Sequence, residues 1–246
     1  MATKWNEAKS MVSCCEENKV KFFVVKQNRL NSTLQLLKKQ IDNGRFGKIA
    51  LVSVNVFWAR GQDYYDQDEW RGTWEFDGGA LMNQASHYVD LLTWLIGPVD
   101  SIGAYIATIA RSIEVEDTAV LSLRWRNGSL GSMSVSMVTY PKNLEGSITI
   151  IGENGTAKVG GIAVNEIEEW EFSTESEDDK LIKQVSQKTT NVYGSGHVPY
   201  YSNMIDTLLG NAEPICDGRE GMKSLELLIG AYKSAKENKI INIPFE

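Results

Sequence analysis

Read for the spacing of hydrophobic positions, the chain opens on a helix, closes on two, and holds a long run of alternating segments between them. Residues 3–18 place Trp5, Ala8, Met11, Val12 and Cys15 at helical intervals, with Thr3 as the expected cap. Residues 21–25, Lys-Phe-Phe-Val-Val, form an apolar, β-branched and aromatic run of the kind buried on both faces in a parallel sheet. An amphipathic helix is expected over 32–43, with Leu34, Leu37 and Ile41 on one side and Gly44 as its stop, followed by a strand over 48–58.

After a polar, aromatic segment, Asp77-Gly-Gly-Ala80 predicts the start of a helix running to Ile96 and closed by Gly97-Pro98. The period then shifts to two. Strands are expected over 101–110, 117–126, 129–139, 146–152, 156–164 and 167–173, with Asn127-Gly128 and Asn154-Gly155 turning hairpins. The acidic stretch 166–179 reads as a solvated edge strand and loop. Helices over 199–209 and 219–238, the second burying Met222, Leu225, Ile229 and Tyr232, precede a short strand over 240–243. The layout predicts an α+β fold: a large, mainly antiparallel sheet with helices on one face, preceded by a lone helix and strand. That pair looks like the end of a βαβ unit whose earlier strands the sequence does not contain.

Composition narrows the function classes. With 42% hydrophobic and 23% charged residues, the chain is an ordinary globular one. A formal charge of −7, without a Lys/Arg block, argues against a nucleic-acid partner. Three cysteines, the adjacent Cys14 and Cys15 and the distant Cys216, make no disulfide framework and no zinc spacing, so no metal site is expected. Nothing at the start resembles a signal peptide and no apolar run is long enough to span a bilayer, so a cytoplasmic protein with no membrane partner is expected.

Candidate chemistry gathers in three places. Asn83 and His87 stand four apart, on the side of the expected helix away from Leu81, Ala85, Val89, Leu92 and Ile96. A histidine can take a proton from an alcohol near neutral pH, although a lone one is more often structural or incidental. Trp58, Arg60, Tyr64, Tyr65, Trp70, Arg71 and Trp74 crowd one segment, as in pockets for carboxylates, phosphates and sugar rings, with core packing an equal reading for the tryptophans. Lys26-Gln-Asn-Arg29 would lie at a strand's carboxyl end, where α/β proteins place ligands. No phosphate loop is convincing; Gly194-Ser-Gly196-His197 lacks a third glycine and reads as a flexible loop.

With these residues in view, the chain resembles the Gfo/Idh/MocA oxidoreductases over nearly its whole length, and within them the UDP-N-acetylglucosaminuronate 3-dehydrogenases of bacterial surface-polysaccharide synthesis. The markers are Val25-Lys-Gln-Asn-Arg29, Trp70-Arg71, the stretch from Asp77-Gly-Gly to His87, Glu116-Asp117-Thr-Ala119, Asp217-Gly-Arg-Glu-Gly221 and Ser234-Ala-Lys236. The resemblance implies that His87 is the acid/base group, with Asn83 beside it where many members have Asp. It further implies that Lys26, Asn28, Arg60, Tyr64, Tyr65 and His197 border a UDP-sugar, and that Gln27, Trp70 and Arg71 approach NAD. Residues 1–30 would then be a remnant of the dinucleotide-binding Rossmann domain, and 31–246 a substrate-binding and oligomerisation domain that pairs with other copies, as a dimer or tetramer, through its open sheet face. NAD would serve the complete enzyme and is not expected on this chain, which lacks the Gly-rich loop and the family's Glu-Lys-Pro lysine. The competing readings are a non-catalytic sugar-nucleotide-binding or oligomerisation module, and a related polyol dehydrogenase or NAD-assisted glycosidase.

Overall fold

Alternating burial along eight segments assembles one sheet, and helices cover the face where the buried positions fall. The structure, a computed structural model, describes residues 1–189, 192–194 and 196–244. The strands are β1 (Ile49–Phe57), β2 (Val99–Ala107), β3 (Thr118–Trp125), β4 (Leu130–Ser136), β5 (Glu145–Gly152), β6 (Gly155–Gly160), β7 (Glu166–Phe172) and β8 (Ile241–Asn242). The helices are α1 (Trp5–Glu17), α2 (Ser32–Asp42), the one-turn α3 (Gln62–Tyr65), α4 (Ser86–Ile96), the one-turn α5 (Ile182–Val185), α6 (His197–Leu208) and α7 (Gly218–Glu237). A 3₁₀ turn, Gln27–Leu30, precedes α2.

The strand order is β7-β6-β5-β1-β4-β3-β2-β8. Among the described residues β1 and β4 run parallel and every other neighbouring pair is antiparallel. The predicted α+β architecture is therefore the observed one, and the acidic β7 forms an edge of the sheet as expected. Val52, Val54 and Val56 of β1, Leu121, Leu123 and Trp125 of β3, and Met133 and Val135 of β4 turn toward the helices and are buried. Leu81, Ala85, Val89, Leu92 and Ile96 meet them from α4 and the turn before it, as their spacing predicts.

The other face has a different composition. Across it, register aligns Gly103, Ser122, Ser132, Ser53 and Thr149 in one row. A second row holds Tyr105, Val120, Ser134, Asn55 and Ser147, and a third holds Ser101, Arg124, Leu130, Leu51 and Ile151. Tyr105, Val120, Leu130, Leu51 and Ile151 are exposed there, so small hydroxyl side chains flanked by uncovered apolar ones make a flat surface.

Several expectations are corrected. Residues 21–25 are extended and mostly half-buried, with one isolated bridge between Phe23 and Asp217; no strand among the described residues pairs along them, so the run is not buried on both faces. Thr3 does not cap α1: Lys4 holds the cap position, and the Thr3 hydroxyl donates to the Glu75 carbonyl. In α7 Leu225, Leu227, Leu228 and Ala231 are the apolar residues buried, while Met222, Ile229 and Tyr232 are half-covered, because the helix lies over both β2 and α4 and so buries a broader stripe than one row. The predicted helix from Asp77 begins only at Ser86; residues 80–85 form turns.

Candidate functional site

The delayed start of α4 decides the local geometry. Gly78 and Gly79 both adopt φ +83, a left-handed conformation that glycine tolerates and that prevents a helix from starting there. A Cβ on Gly79 would lie 1.9 Å from a Glu116 carboxyl oxygen, so glycine is required for space as well. The Ala80 N–H donates to the Glu116 carbonyl (3.0 Å) and the Leu81 N–H to its carboxyl Oε1 (2.8 Å). The Tyr232 hydroxyl donates to the same oxygen at 2.9 Å. No cation partners this enclosed carboxyl among the described residues, and burial pushes it up to about 7.

Asn83 therefore sits in the turn rather than one helical turn behind His87. Its amide nitrogen donates to Asp77 Oδ1, while the Gly72 N–H donates to Asp77 Oδ2 at 2.7 Å. The Gln84 amide reaches the Tyr64 hydroxyl at 3.4 Å. The turn thus joins two groups of predicted residues.

The first group surrounds His87 in the first turn of α4. The imidazole is half-buried, and its enclosed Nδ1 has no hydrogen-bond partner. Burial, then the nearby Lys26 charge, lowers it to about 4, with Asp90 acting the other way and His197 adding to the depression. The ring is neutral at pH 7. The chain's two histidines, at positions 87 and 197, thus lie close enough to interact, and His197 is the first residue of α6. Lys26 is buried; its ammonium reaches the Ser86 carbonyl at 3.5 Å, and burial lowers its proton affinity despite Asp90. Gln27 and Asn28 are buried in the adjoining turn, where Gln27 Oε1 is enclosed and unpartnered. Ser195, within the loop that leads to His197, lies outside the described residues.

The second group is a stack. The Arg71 guanidinium lies 4.3 Å from the Tyr64 ring centroid and 5.1 Å from that of Trp70, while Arg60 lies 5.4 Å from Tyr64 and 5.3 Å from Trp58. Trp58 packs edge-on against Tyr88, the residue after His87, which ties this stack to α4. Tyr65 is buried, with its hydroxyl enclosed and unpartnered. Trp70 is exposed and lines a cleft of about 530 Å³ with Asp68, Glu69, Thr73, Glu75, Phe76 and Glu114.

Sequence reasoning missed Asp90 and named Glu116 and Glu220 only within family markers, without the roles they play in holding this arrangement. Asp90 takes two charge-assisted bonds from Arg29, each 2.7 Å, on side chains 3% and 1% exposed, and the Arg29 fork also reaches Glu220 and the Ile215 carbonyl. This fixes the Lys26–Arg29 turn against α4. A carboxylate three residues after His87, on the same side of the helix as the histidine, was the available signal for Asp90; nothing in local spacing links Glu116 to Leu81.

A sheet covered by helices on one side, with a histidine, a lysine and an arginine–aromatic stack gathered at the start of one of those helices, defines a class of protein. The chain belongs to the Gfo/Idh/MocA oxidoreductase family: the profile of that family's C-terminal alpha/beta domain matches residues 38–243. At finer grain, it superposes on the WlbA dehydrogenase from Bordetella pertussis, solved in complex with NADH and UDP-GlcNAcA, with a TM-score of 0.97 and 59% identity, covering 100% of this chain and 71% of that one. The WlbA dehydrogenase from Chromobacterium violaceum, also solved with NADH and UDP-GlcNAcA, gives a TM-score of 0.95 at 59% identity, covering 100% and 69%. A curated D-apiose dehydrogenase from Rhizobium rhizogenes is 22% identical over 254 residues, 98% of this chain and 70% of that protein. No helix among the described residues is long and apolar enough to cross a membrane.

Proposed function

We propose that this chain binds a UDP-N-acetyl-hexosaminuronate and carries the acid/base group of an NAD-dependent dehydrogenase that oxidises a hydroxyl of that sugar. The observation carrying the reading is the neutral, half-buried His87 beside Lys26 and His197, in a chain 59% identical to a protein solved with NADH and UDP-GlcNAcA. In the proposed step the hydroxyl O–H proton passes to the His87 imidazole, the carbinol C–H leaves as hydride, and the carbon becomes a carbonyl. Asp90, whose charge favours the protonated ring, steadies the imidazolium as it forms. Lys26, Asn28, His197, Arg60, Tyr64 and Tyr65 are assigned to the sugar nucleotide, with the guanidinium suited to a phosphate or carboxylate.

The fit to the cofactor is partial. Gln27 Oε1 is an enclosed acceptor that an amide donor would satisfy, and Trp70 with Arg71 offers a ring face and a cation. When bound, NAD supplies the hydride acceptor. The sequence has no Gly-rich loop for its pyrophosphate, so these 246 residues by themselves are assigned sugar-nucleotide binding with negligible NAD affinity and turnover. Residues 1–30 are read as the end of the nucleotide-binding unit, and 31–246 as the substrate domain, pairing with other copies through its hydroxyl-rich sheet face in the cytoplasm.

A thermal-shift and calorimetric comparison of UDP-GlcNAcA, UDP-GlcNAc and UDP tests this. The uronate is expected to bind tightest and, at a hundredfold excess over its Kd, to stabilise the fold by about 2.7 kcal/mol. If no UDP-sugar raises the melting temperature, the proposal fails; if UDP-sugars bind but added NAD is reduced over many turnovers, the cofactor part fails.

A further inference from the structure

Asp77 is a buried carboxylate that touches both halves of the site. One oxygen receives the Gly72 N–H, the first backbone donor after Trp70-Arg71, and the other receives the side-chain amide of Asn83. Asp77 is itself held by its own N–H and the Gly78 N–H, both bonding the Thr73 carbonyl, at 3.1 and 2.9 Å. An Asn side chain has two ends of opposite character, an NH₂ that donates and an oxygen that accepts. A carboxylate already receiving a backbone N–H accepts from Asn83 and leaves the amide no freedom to turn over. The Asn83 oxygen has no hydrogen-bond partner among the described residues.

We propose that Asp77 is a positioning residue that fixes the amide of Asn83 so that its oxygen, and not its nitrogen, is presented to a hydroxyl of the bound sugar. Asn83 then selects a donor on the substrate without competing for its proton, which leaves His87 as the group that takes it. The same carboxylate links this choice to the Trp70-Arg71 segment, because its second oxygen holds the Gly72 N–H that follows that pair. This inference rests on the sugar-binding reading of the site, and its test separates the two.

Asp77→Asn keeps one acceptor and replaces the other with NH₂. The remaining oxygen keeps the Gly72 N–H and the new NH₂ faces Asn83, which turns over to accept with its own oxygen and so presents its NH₂ outward. The double variant Asp77→Asn/Asn83→Asp reverses the polarity: the new amide donates to the new carboxylate, which still offers an oxygen outward. In titration calorimetry Asp77→Asn is expected to weaken UDP-GlcNAcA about tenfold while leaving UDP, which has no sugar hydroxyl of this kind, unchanged. The double variant is expected to recover most of that loss. Equal weakening of both ligands, no weakening, or failure of the double variant to recover overturns the proposal. In ¹⁵N spectra of the free protein, the Asn83 amide protons are expected to exchange slowly, and quickly in Asp77→Asn. Fast exchange in the parent protein overturns the proposal without any ligand, whereas slow exchange in a protein that binds no UDP-sugar sinks the functional reading instead.

Discussion

His87 and Glu116 titrate in opposite senses over nearly the same range, so the stability of the parent protein conceals both. His87 falls from an ordinary 6.5 to about 4, chiefly through burial, and Glu116 climbs from 4.5 to about 7 for the same reason. Between pH 4.5 and 6.5 the unfolded chain carries a proton on the imidazole and the folded chain carries one on the carboxyl. The two states therefore bind equal numbers of protons at these sites, and their contributions to the pH slope cancel. Glu116→Gln keeps an acceptor for the Leu81 N–H and the Tyr232 hydroxyl but removes the titration. His87 is then unmasked: its depressed folded value means stability fully present above 6.5 and lost as pH falls through about 4. At about 1.4 kcal/mol for each pH unit between the two values, the loss comes to ~3 kcal/mol. His87→Gln unmasks Glu116, whose raised folded value means stability present below 4.5 and lost as pH rises through about 7, again by ~3 kcal/mol. Urea unfolding of the three proteins at closely spaced pH values reads the difference of each variant from the parent, in which all other groups drop out. Parallel stability curves for all three would refute the assignment of these two protonation states.

Removing Asp90 takes both of its bonds from the buried Arg29 and leaves the guanidinium, among the carboxylates of the described residues, only the longer contact to Glu220, so Asp90→Ala is expected to cost about 3 kcal/mol in chemical denaturation, and Arg29→Met/Asp90→Leu less than that. A double variant less stable than the single one would contradict this. The uncovered sheet face predicts a dimer or tetramer in light scattering, and Val120→Arg, placed beside Tyr105 and Ser134, is expected to shift the parent species to monomer. A parent protein that is already monomeric ends that reading.

Much of this molecule was legible from spacing alone. Period-two alternation located the strands, and the glycine after residue 43 stopped α2 through a left-handed φ of +68. These are local effects, set by which face of a short segment must avoid water. The motif from Asp77 to His87 was recognisable as a sequence, yet its helical reading was wrong, because two left-handed glycines under a buried Glu116 carboxyl hold the chain in turns until Ser86. Likewise the apolar run 21–25 announced a doubly buried strand, but burial on both faces needs neighbours, and neighbours are not encoded within five residues.

What the sequence by itself determined is the set of elements, the sidedness of each, and the residue types available for proton transfer and anion binding. Only the tertiary structure decided that His87 comes within electrostatic reach of His197 across more than a hundred positions, that Asp90 pins Arg29 to α4 while Lys26 reaches the Ser86 carbonyl, and that Asp77 faces Asn83. The physical reason is that periodicity reports exposure to water one element at a time. Hydrogen-bond partners and proton affinities depend on which elements share a buried volume, and that is settled only when the sheet closes under its helices.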